Sequence, residues 1–204
     1  MLKDTFETLA GKYTADLTLT AQLWHFIESE YTSKGRHYHT LAHLEKLLSQ
    51  LQSCKSLLRD WDTVLFALFY HDIIYKSTAK DNEEKSAYEA MAAMQKIGCP
   101  TEKIERCKAL VLATKSHTPS PDNDTNLFTD ADLSILGSDW GEYLAYYKNV
   151  RKEYSIYPDF MYNPGRKKVL LHFLQMDHVF KTDFFRERYE AKAKENLRRE
   201  IAML

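Results

Sequence analysis

Residues 66–77 read FALFYHDIIYKS and place His71 and Asp72 side by side in the middle of an apolar run. The apolar residues before this pair recur at helical spacing, and Asp60 stands where a capping residue would begin the helix. Burying an imidazole and a carboxylate without partners is costly. A bound metal ion would remove that cost, so we take both side chains as candidate metal ligands.

Helical spacing of apolar residues continues along nearly the whole chain, and no run of alternating β-branched residues between hairpin turns interrupts it. The pattern predicts an all-α helical bundle. Thr40 is placed to cap the helix before Asp60, and Asp81 begins the helix after the His-Asp pair. A further helix is predicted from a cap at Thr101 to about His117, followed by a loop over residues 118–126.

Length and composition limit the classes of protein to which the chain can belong. A chain of 204 residues is expected to form a single domain, with a motif-bearing core at about residues 36–137 and C-terminal helices at 139–204 packing on it. The formal net charge of −1 predicts no nucleic-acid partner and no membrane-surface partner. The three cysteines share no CxxC spacing, and no signal core or membrane span is present, so a cytoplasmic protein is expected.

Four residues from three predicted helices form the candidate metal set: His43, His71, Asp72 and Asp132. Neighbouring helices of a bundle often bring such side chains to one interior point. Imidazole and carboxylate ligands suit a divalent first-row metal and would leave positions open for water and substrate. The metal is not identified by the sequence, and Mn, Mg, Zn, Fe, Co and Ni all stay open.

The order of these ligands resembles that of the HD superfamily of metal-dependent phosphohydrolases. The sequence motifs around these ligands also resemble those of a bacterial branch of predicted HD phosphohydrolases. The motifs are RHYHTLAHL at 36–44, HDIIY at 71–75, DNEEKSA at 81–87, ATKSH at 113–117, DADLSILG at 130–137 and YEAKAKENL at 189–197. The resemblance implies an HD-domain-like bundle and an enzyme. Its expected reaction is hydrolysis of a phosphate ester or nucleotide-like small molecule by a metal-activated water.

The resemblance also implies roles for residues near the metal set. Family members commonly end the set with an Ala-Asp pair on a helix, which selects Asp132 as the ligand. Asp130 would then orient a metal-bound histidine, although the reverse assignment of the two aspartates stays open. His39 precedes His43 by four residues, so it lies near the same helical face and is a candidate supporting residue.

Proton transfer and phosphate binding have weaker candidates. Glu84 is the candidate acid or base by family placement, while helix capping explains this acidic segment equally well. His117 either faces the phosphate, where it would bind substrate or donate a proton to the leaving group, or simply complements a helix C-terminus. Arg36, Asn82 and Lys115 are the candidate phosphate contacts within the recognised motifs.

Two other functions compete with hydrolysis. A di-iron HD-fold oxygenase needs further histidines between His71 and Asp132, and only His117 is available there. A non-catalytic sensor would bind a nucleotide at the same metal site. A homo-oligomer, formed through the charged C-terminal helix, is a further expectation.

Overall fold

The computed structural model, which describes residues 1–204, is entirely helical and confirms the predicted all-α fold. None of the helices combines the length and the apolar content that crossing a membrane requires. The α-helices, in chain order, are α1 Leu2–Ala10, α2 Leu17–Tyr31, α3 Leu41–Ser53, α4 Trp61–Tyr70, α5 Asn82–Lys96, α6 Thr101–Ala113, α7 Asn123–Leu133, α8 Trp140–Glu153, α9 Asp159–Gln175 and α10 Asp183–Ile201. Two 3-10 turns, at Lys55–Leu57 and Ser134–Gly137, complete the fold.

The contacts within the chain divide it into two compact units, Met1–Thr129 and Asp130–Leu204. The boundary falls inside α7, a single uninterrupted helix. Each unit has buried apolar residues of its own.

Helix α4 is the centre of the first unit. Every residue from Thr63 to Tyr70 is buried, and α1, α3, α5 and α6 all contact this helix. A helix that is apolar on all sides is stable only where neighbours surround it. The ring of Phe69 meets Phe6 of α1 edge-on at 5.2 Å, between ring centroids, and Trp24 of α2 at 6.3 Å. The core therefore holds the helix that ends at His71.

Helix starts in the first unit follow the predicted capping residues only in part. Asp60 caps α4 as predicted, because its carboxylate accepts a hydrogen bond from the Thr63 amide. Thr40 precedes α3 but makes no side-chain capping bond. For α6 the prediction is wrong at both ends: its N-cap is Pro100 and not Thr101, and it ends at Ala113 and not near His117.

The second unit is built around α10, which contacts α9 and the 3-10 turn Ser134–Gly137. A Cβ on Gly137 would lie 2.6 Å from the backbone oxygen of Tyr189, so only glycine permits this approach of the turn to α10. The side-chain amide of Asn196 donates to the carbonyls of Leu136 and Ser138, 2.9 Å away in each case. These contacts fix the turn that follows α7.

Candidate metal centre

His71 lies immediately after α4, with only 1% of its surface exposed. Its Nδ1 is 3.0 Å from the carbonyl oxygen of Leu68, one helical turn earlier. A carbonyl only accepts hydrogen bonds, so this contact places a proton on Nδ1 and makes Nε2 the nitrogen that would bind a metal. The end of α4 therefore fixes both the orientation and the tautomer that a metal-binding histidine needs.

His43 approaches the same point from α3, and 5% of its surface is exposed. Its Nε2 lies 3.1 Å from the Nε2 of His71. Two nitrogens at this separation could each lie about 2.1 Å from one ion, so the pair would fit a shared cation.

Asp132 completes the candidate centre from the last turn of α7. His43, His71 and Asp132 each offer one ligand atom, and these atoms all lie within 4.8 Å of one another. The position of Asp132 follows from the continuity of α7: it comes one turn after Phe128, whose ring meets that of His71 edge-on at 5.9 Å. Two imidazoles with a carboxylate suit first-row metals such as zinc, iron or nickel better than magnesium, which prefers oxygen ligands.

Asp72 lies beside this group. Its Oδ2 is 3.1 Å from the Nε2 of His71 and 3.8 Å from the Nε2 of His39. The ring of His39 stacks on that of Tyr75 at 4.1 Å. The structure therefore brings His43, His71 and Asp132 together. Asp72 contacts this group through His71 and lies near His39.

Asp130 has a different environment from Asp132. Its carboxylate is fully buried and accepts hydrogen bonds from the Lys181 amide at 2.9 Å and from the amide and hydroxyl of Thr182, both at 2.8 Å. The ammonium of Lys181 lies 3.3 Å from the same carboxylate. These bonds account for the burial of Asp130 without an ion, so the geometry favours Asp132 as the ligand.

Lys181 is a residue near the centre that the sequence analysis missed. Its side chain is 5% exposed, and burial is the main cause that lowers its pKa, against the opposing charges of Asp130 and Asp132. The only sequence signal is its position directly after two apolar residues, Val179 and Phe180, which are both buried. Nothing in that pattern connects it with an aspartate some fifty positions earlier.

The DNEEKSA segment begins α5, where its polar side chains hold the preceding loop. The amide group of Asn82 exchanges hydrogen bonds with the backbone of Lys76, at 3.0 and 3.1 Å. The ammonium of Lys115 binds the exposed carboxylate of Glu84, and this bond is the main cause that lowers the pKa of Glu84. Lys115 also donates to the carbonyl of Lys80 at 2.9 Å. Asp81 is the N-cap residue of α5 but makes no side-chain capping bond, so the contacts of this segment are to the preceding loop and to Lys115.

His117 lies in the turn beyond α6, four residues after the last helical residue, Ala113. Its amide donates to the Ala113 carbonyl at 3.0 Å, and its φ of 52° is in the left-handed region that closes many helix ends. The half-buried side chain is therefore carried by a turn, and the expected position within the last helical turn is wrong.

Arg36 is buried, with 9% of its surface exposed, and its guanidinium faces backbone carbonyls. It donates to the carbonyl oxygens of Asp72 and Ile73, both at 2.7 Å, and to that of His39 at 3.2 Å. The residue expected to contact phosphate is thus bonded to the main chain of the candidate centre.

Comparison of the chain with protein-family models, with curated proteins and with solved structures finds no match. The resemblance to HD phosphohydrolases therefore stays a prediction from the motifs. What the structure adds is a His43, His71 and Asp132 group that could hold a metal ion.

Proposed function

We propose that the chain is a metal-dependent phosphohydrolase acting on a phosphate ester or nucleotide-like small molecule. The observation that carries the proposal is the convergence of His43, His71 and Asp132, whose ligand atoms lie within 4.8 Å of one another. The choice of reaction and substrate class is supported by the resemblance of the surrounding motifs.

The donor set suits a divalent ion, which when bound would lower the pKa of a coordinated water toward neutrality and polarise a phosphoryl oxygen. The chain's own part is to hold this set in place. The Leu68 carbonyl fixes the ring of His71, and the burial of both histidines excludes bulk water from one side of the centre. Asp72, whose Oδ2 is 3.1 Å from the Nε2 of His71, is placed to complete the ligand set.

An oxygenase is the second candidate, and one observation favours it. Two histidines and one carboxylate with open positions are also the ligand set of non-haem iron oxygenases. The two functions differ in the metal they require and in the product they release, so one experiment can separate them.

The test is metal analysis of the purified protein together with a hydrolysis screen over nucleotides and phosphate esters. We expect about one divalent ion per chain and release of phosphate or pyrophosphate from at least one substrate. Iron together with no phosphate release from any substrate would favour the oxygenase. Nucleotide binding without any turnover would favour the sensor.

Replacing one ligand tests the centre itself. His71→Ala should lose both the ion and the activity while the helical content measured by circular dichroism stays close to that of the wild type. His25→Ala, at an exposed position on α2, is the matched control and should change neither. A His71→Ala protein that retains the wild-type metal content per folded chain would contradict the assignment.

A further inference from the structure

We propose that Arg36 is a positioning residue of the metal centre: its guanidinium holds the main chain of Asp72 and thereby places the Asp72 carboxylate against His71. This inference rests on the proposed function, because it concerns the same centre. It replaces the phosphate contact expected from the sequence with a different role for the same side chain.

The hydrogen bonds of Arg36 connect two segments that carry site residues. Its Nη1 donates to the carbonyls of His39 and Asp72, and its Nη2 donates to the carbonyl of Ile73. These carbonyls belong to the chain just before α3 and just after α4, outside the hydrogen-bond ladders of both helices. The planar guanidinium presents several donors in a fixed arrangement, so it sets the distance between the two segments.

The guanidinium is itself fixed by aromatic rings. Its carbon lies 4.8 Å from the centre of the Tyr31 ring and 5.7 Å from that of Tyr75. The hydroxyl of Tyr31 also accepts a hydrogen bond from the Asp72 amide at 3.2 Å. The peptide groups on both sides of the Asp72 α-carbon are therefore held, one through its amide and one through its carbonyl.

This arrangement leaves the Asp72 side chain little freedom. With the main chain held on both sides, its Oδ2 stays 3.1 Å from the Nε2 of His71 and 3.8 Å from that of His39. A phosphate contact is unfavourable for Arg36 by comparison, because the side chain is buried and even its Nε lies out of reach of solvent. Loss of groups that orient metal ligands typically costs about 10–100-fold in metal affinity.

The experiment is a titration of the metal-free full chain with Co²⁺, whose visible absorption reports the geometry of its ligands. Arg36→Lys keeps the charge but cannot reproduce three bonds from a planar group. We expect its Kd for Co²⁺ to rise at least about tenfold and its absorption bands to shift, with unchanged helical content. Tyr31→Phe removes the bond to the Asp72 amide and should change affinity and spectrum in the same direction by a smaller factor.

Arg151→Lys is the matched control. Arg151 also donates to two backbone carbonyls, those of Tyr154 and Tyr157, and lies over the ring of Tyr162, but none of these residues is a candidate ligand. This variant should bind Co²⁺ as the wild type does.

Wild-type Kd and spectrum in both Arg36→Lys and Tyr31→Phe would overturn the positioning role and leave the proposed function standing. An Arg36→Lys protein that keeps its affinity for Co²⁺ but loses affinity for inorganic phosphate would also overturn the positioning role, because Arg36 would then be a substrate-binding residue. If Arg36→Lys fails to fold, the Kd and spectrum of Tyr31→Phe decide the matter by themselves. A wild-type chain that binds no Co²⁺ or other divalent ion would instead overturn the proposed function, and this inference with it.

Discussion

Asp130 and Asp132 are identical side chains on one helix, but their carboxylates have different environments. Residues two apart on a helix point about 200° from each other, so the pair cannot share one environment. Asp132 belongs to the group that could hold a metal, while Asp130 is bonded to Lys181 and Thr182. The sequence DAD contains both aspartates without distinguishing them, because the partners of Asp130 lie some fifty positions further along the chain.

Asp130→Asn should therefore destabilise the protein without weakening its metal binding. Removing one charge of a buried ion pair leaves Lys181 uncompensated, which costs about 3 kcal/mol. Urea unfolding monitored by circular dichroism measures this loss. Asp132→Asn is the matched variant: it should change stability by less than about 1 kcal/mol and reduce metal affinity. The opposite pattern for the two variants would assign the ligand to Asp130.

Glu84→Gln tests the candidate general acid or base. The bond from Lys115 keeps the pKa of Glu84 low and the carboxylate ionised at neutral pH, whereas an efficient general acid or base has a pKa near the working pH. We expect metal binding to be unchanged and kcat to fall less than about threefold, since the factor for a lost acid or base is about 10²–10⁴. A steady-state rate that falls a hundredfold would restore the role predicted from the sequence.

Among the helices, α4 and α7 begin at a common cluster of charged residues. The buried carboxylate of Asp124, on α7, accepts from the amides of Arg59 and Asp60 just before α4, at 2.9 Å each. Arg106 of α6 binds Asp124 at 2.7 Å and lies 3.8 Å from Asp60. Because α4 leads to His71 and α7 leads to Asp132, this cluster sets the relative position of two helices that carry candidate ligands.

The pH dependence of stability should report this cluster. Burial acts to raise the pKa of Asp60, but the hydrogen bonds from Lys103 and Thr63 outweigh it and lower the pKa. A carboxylate whose pKa is lowered on folding contributes stability above its unfolded value, and this contribution disappears as the pH falls through the folded value. Asparagine caps a helix about as well as aspartate, so Asp60→Asn removes mainly the charge.

We therefore expect Asp60→Asn to be less stable than the wild type by about 1 kcal/mol at pH 7. The difference should begin to shrink as the pH falls below about 4, where the carboxyl of the unfolded chain becomes neutral, and should disappear below the lower pKa of the folded state. Urea unfolding at a series of pH values measures both stabilities. A difference that is the same at pH 7 and pH 3 would show that the charge of Asp60 contributes nothing.

The sequence predicted those helices whose signals are local. Helix α4 has an unbroken apolar run and a capping aspartate, and its start at Trp61 follows Asp60 as expected. Helix α1 was not predicted, because its buried residues Leu2, Phe6 and Leu9 lie in a short segment that needs α2 and α4 to cover it. Prediction placed residues 123–126 in a loop because of their turn-forming side chains. In the structure these residues form the first turn of α7. Asp124 in this turn is bonded to α6 and to the residues just before α4, and no local sequence pattern indicates these bonds.

The candidate site was predictable to the same extent. Ionisable residues inside an apolar run identified His71 and Asp72, since their burial needs an explanation within the run itself. The hydrogen bonds of Arg36 were not predictable, because an arginine bound to carbonyls and one bound to phosphate look alike in sequence. The carbonyls that it binds belong to residues 36 and 37 positions away as well as to nearby His39.

For the chain as a whole, a metal ion that binds only the folded form should raise the melting temperature by mass action. The candidate ligands His43, His71 and Asp132 come from three separate segments of the chain and meet only after folding, so the unfolded chain offers no comparable site. A free ion concentration of about 100 times Kd stabilises the folded form by about 2.7 kcal/mol. For a protein of this size the midpoint should rise by about 5–10 °C.

Differential scanning fluorimetry with Zn²⁺, Mn²⁺ or Co²⁺ measures this shift, and a chelator should reverse it. His71→Ala should melt at the same temperature with and without the ion, whereas the exposed-site control His25→Ala should shift as the wild type does. A shift that persists in His71→Ala would show that the ion stabilises the chain at other residues. Asp130→Asn is expected to lower stability without changing the candidate ligands. This variant should therefore have a lower melting temperature than the wild type but show the same increase in melting temperature when metal is added. The melting temperature without metal and its shift on metal addition would thus distinguish residues that stabilise the fold from residues that bind the ion.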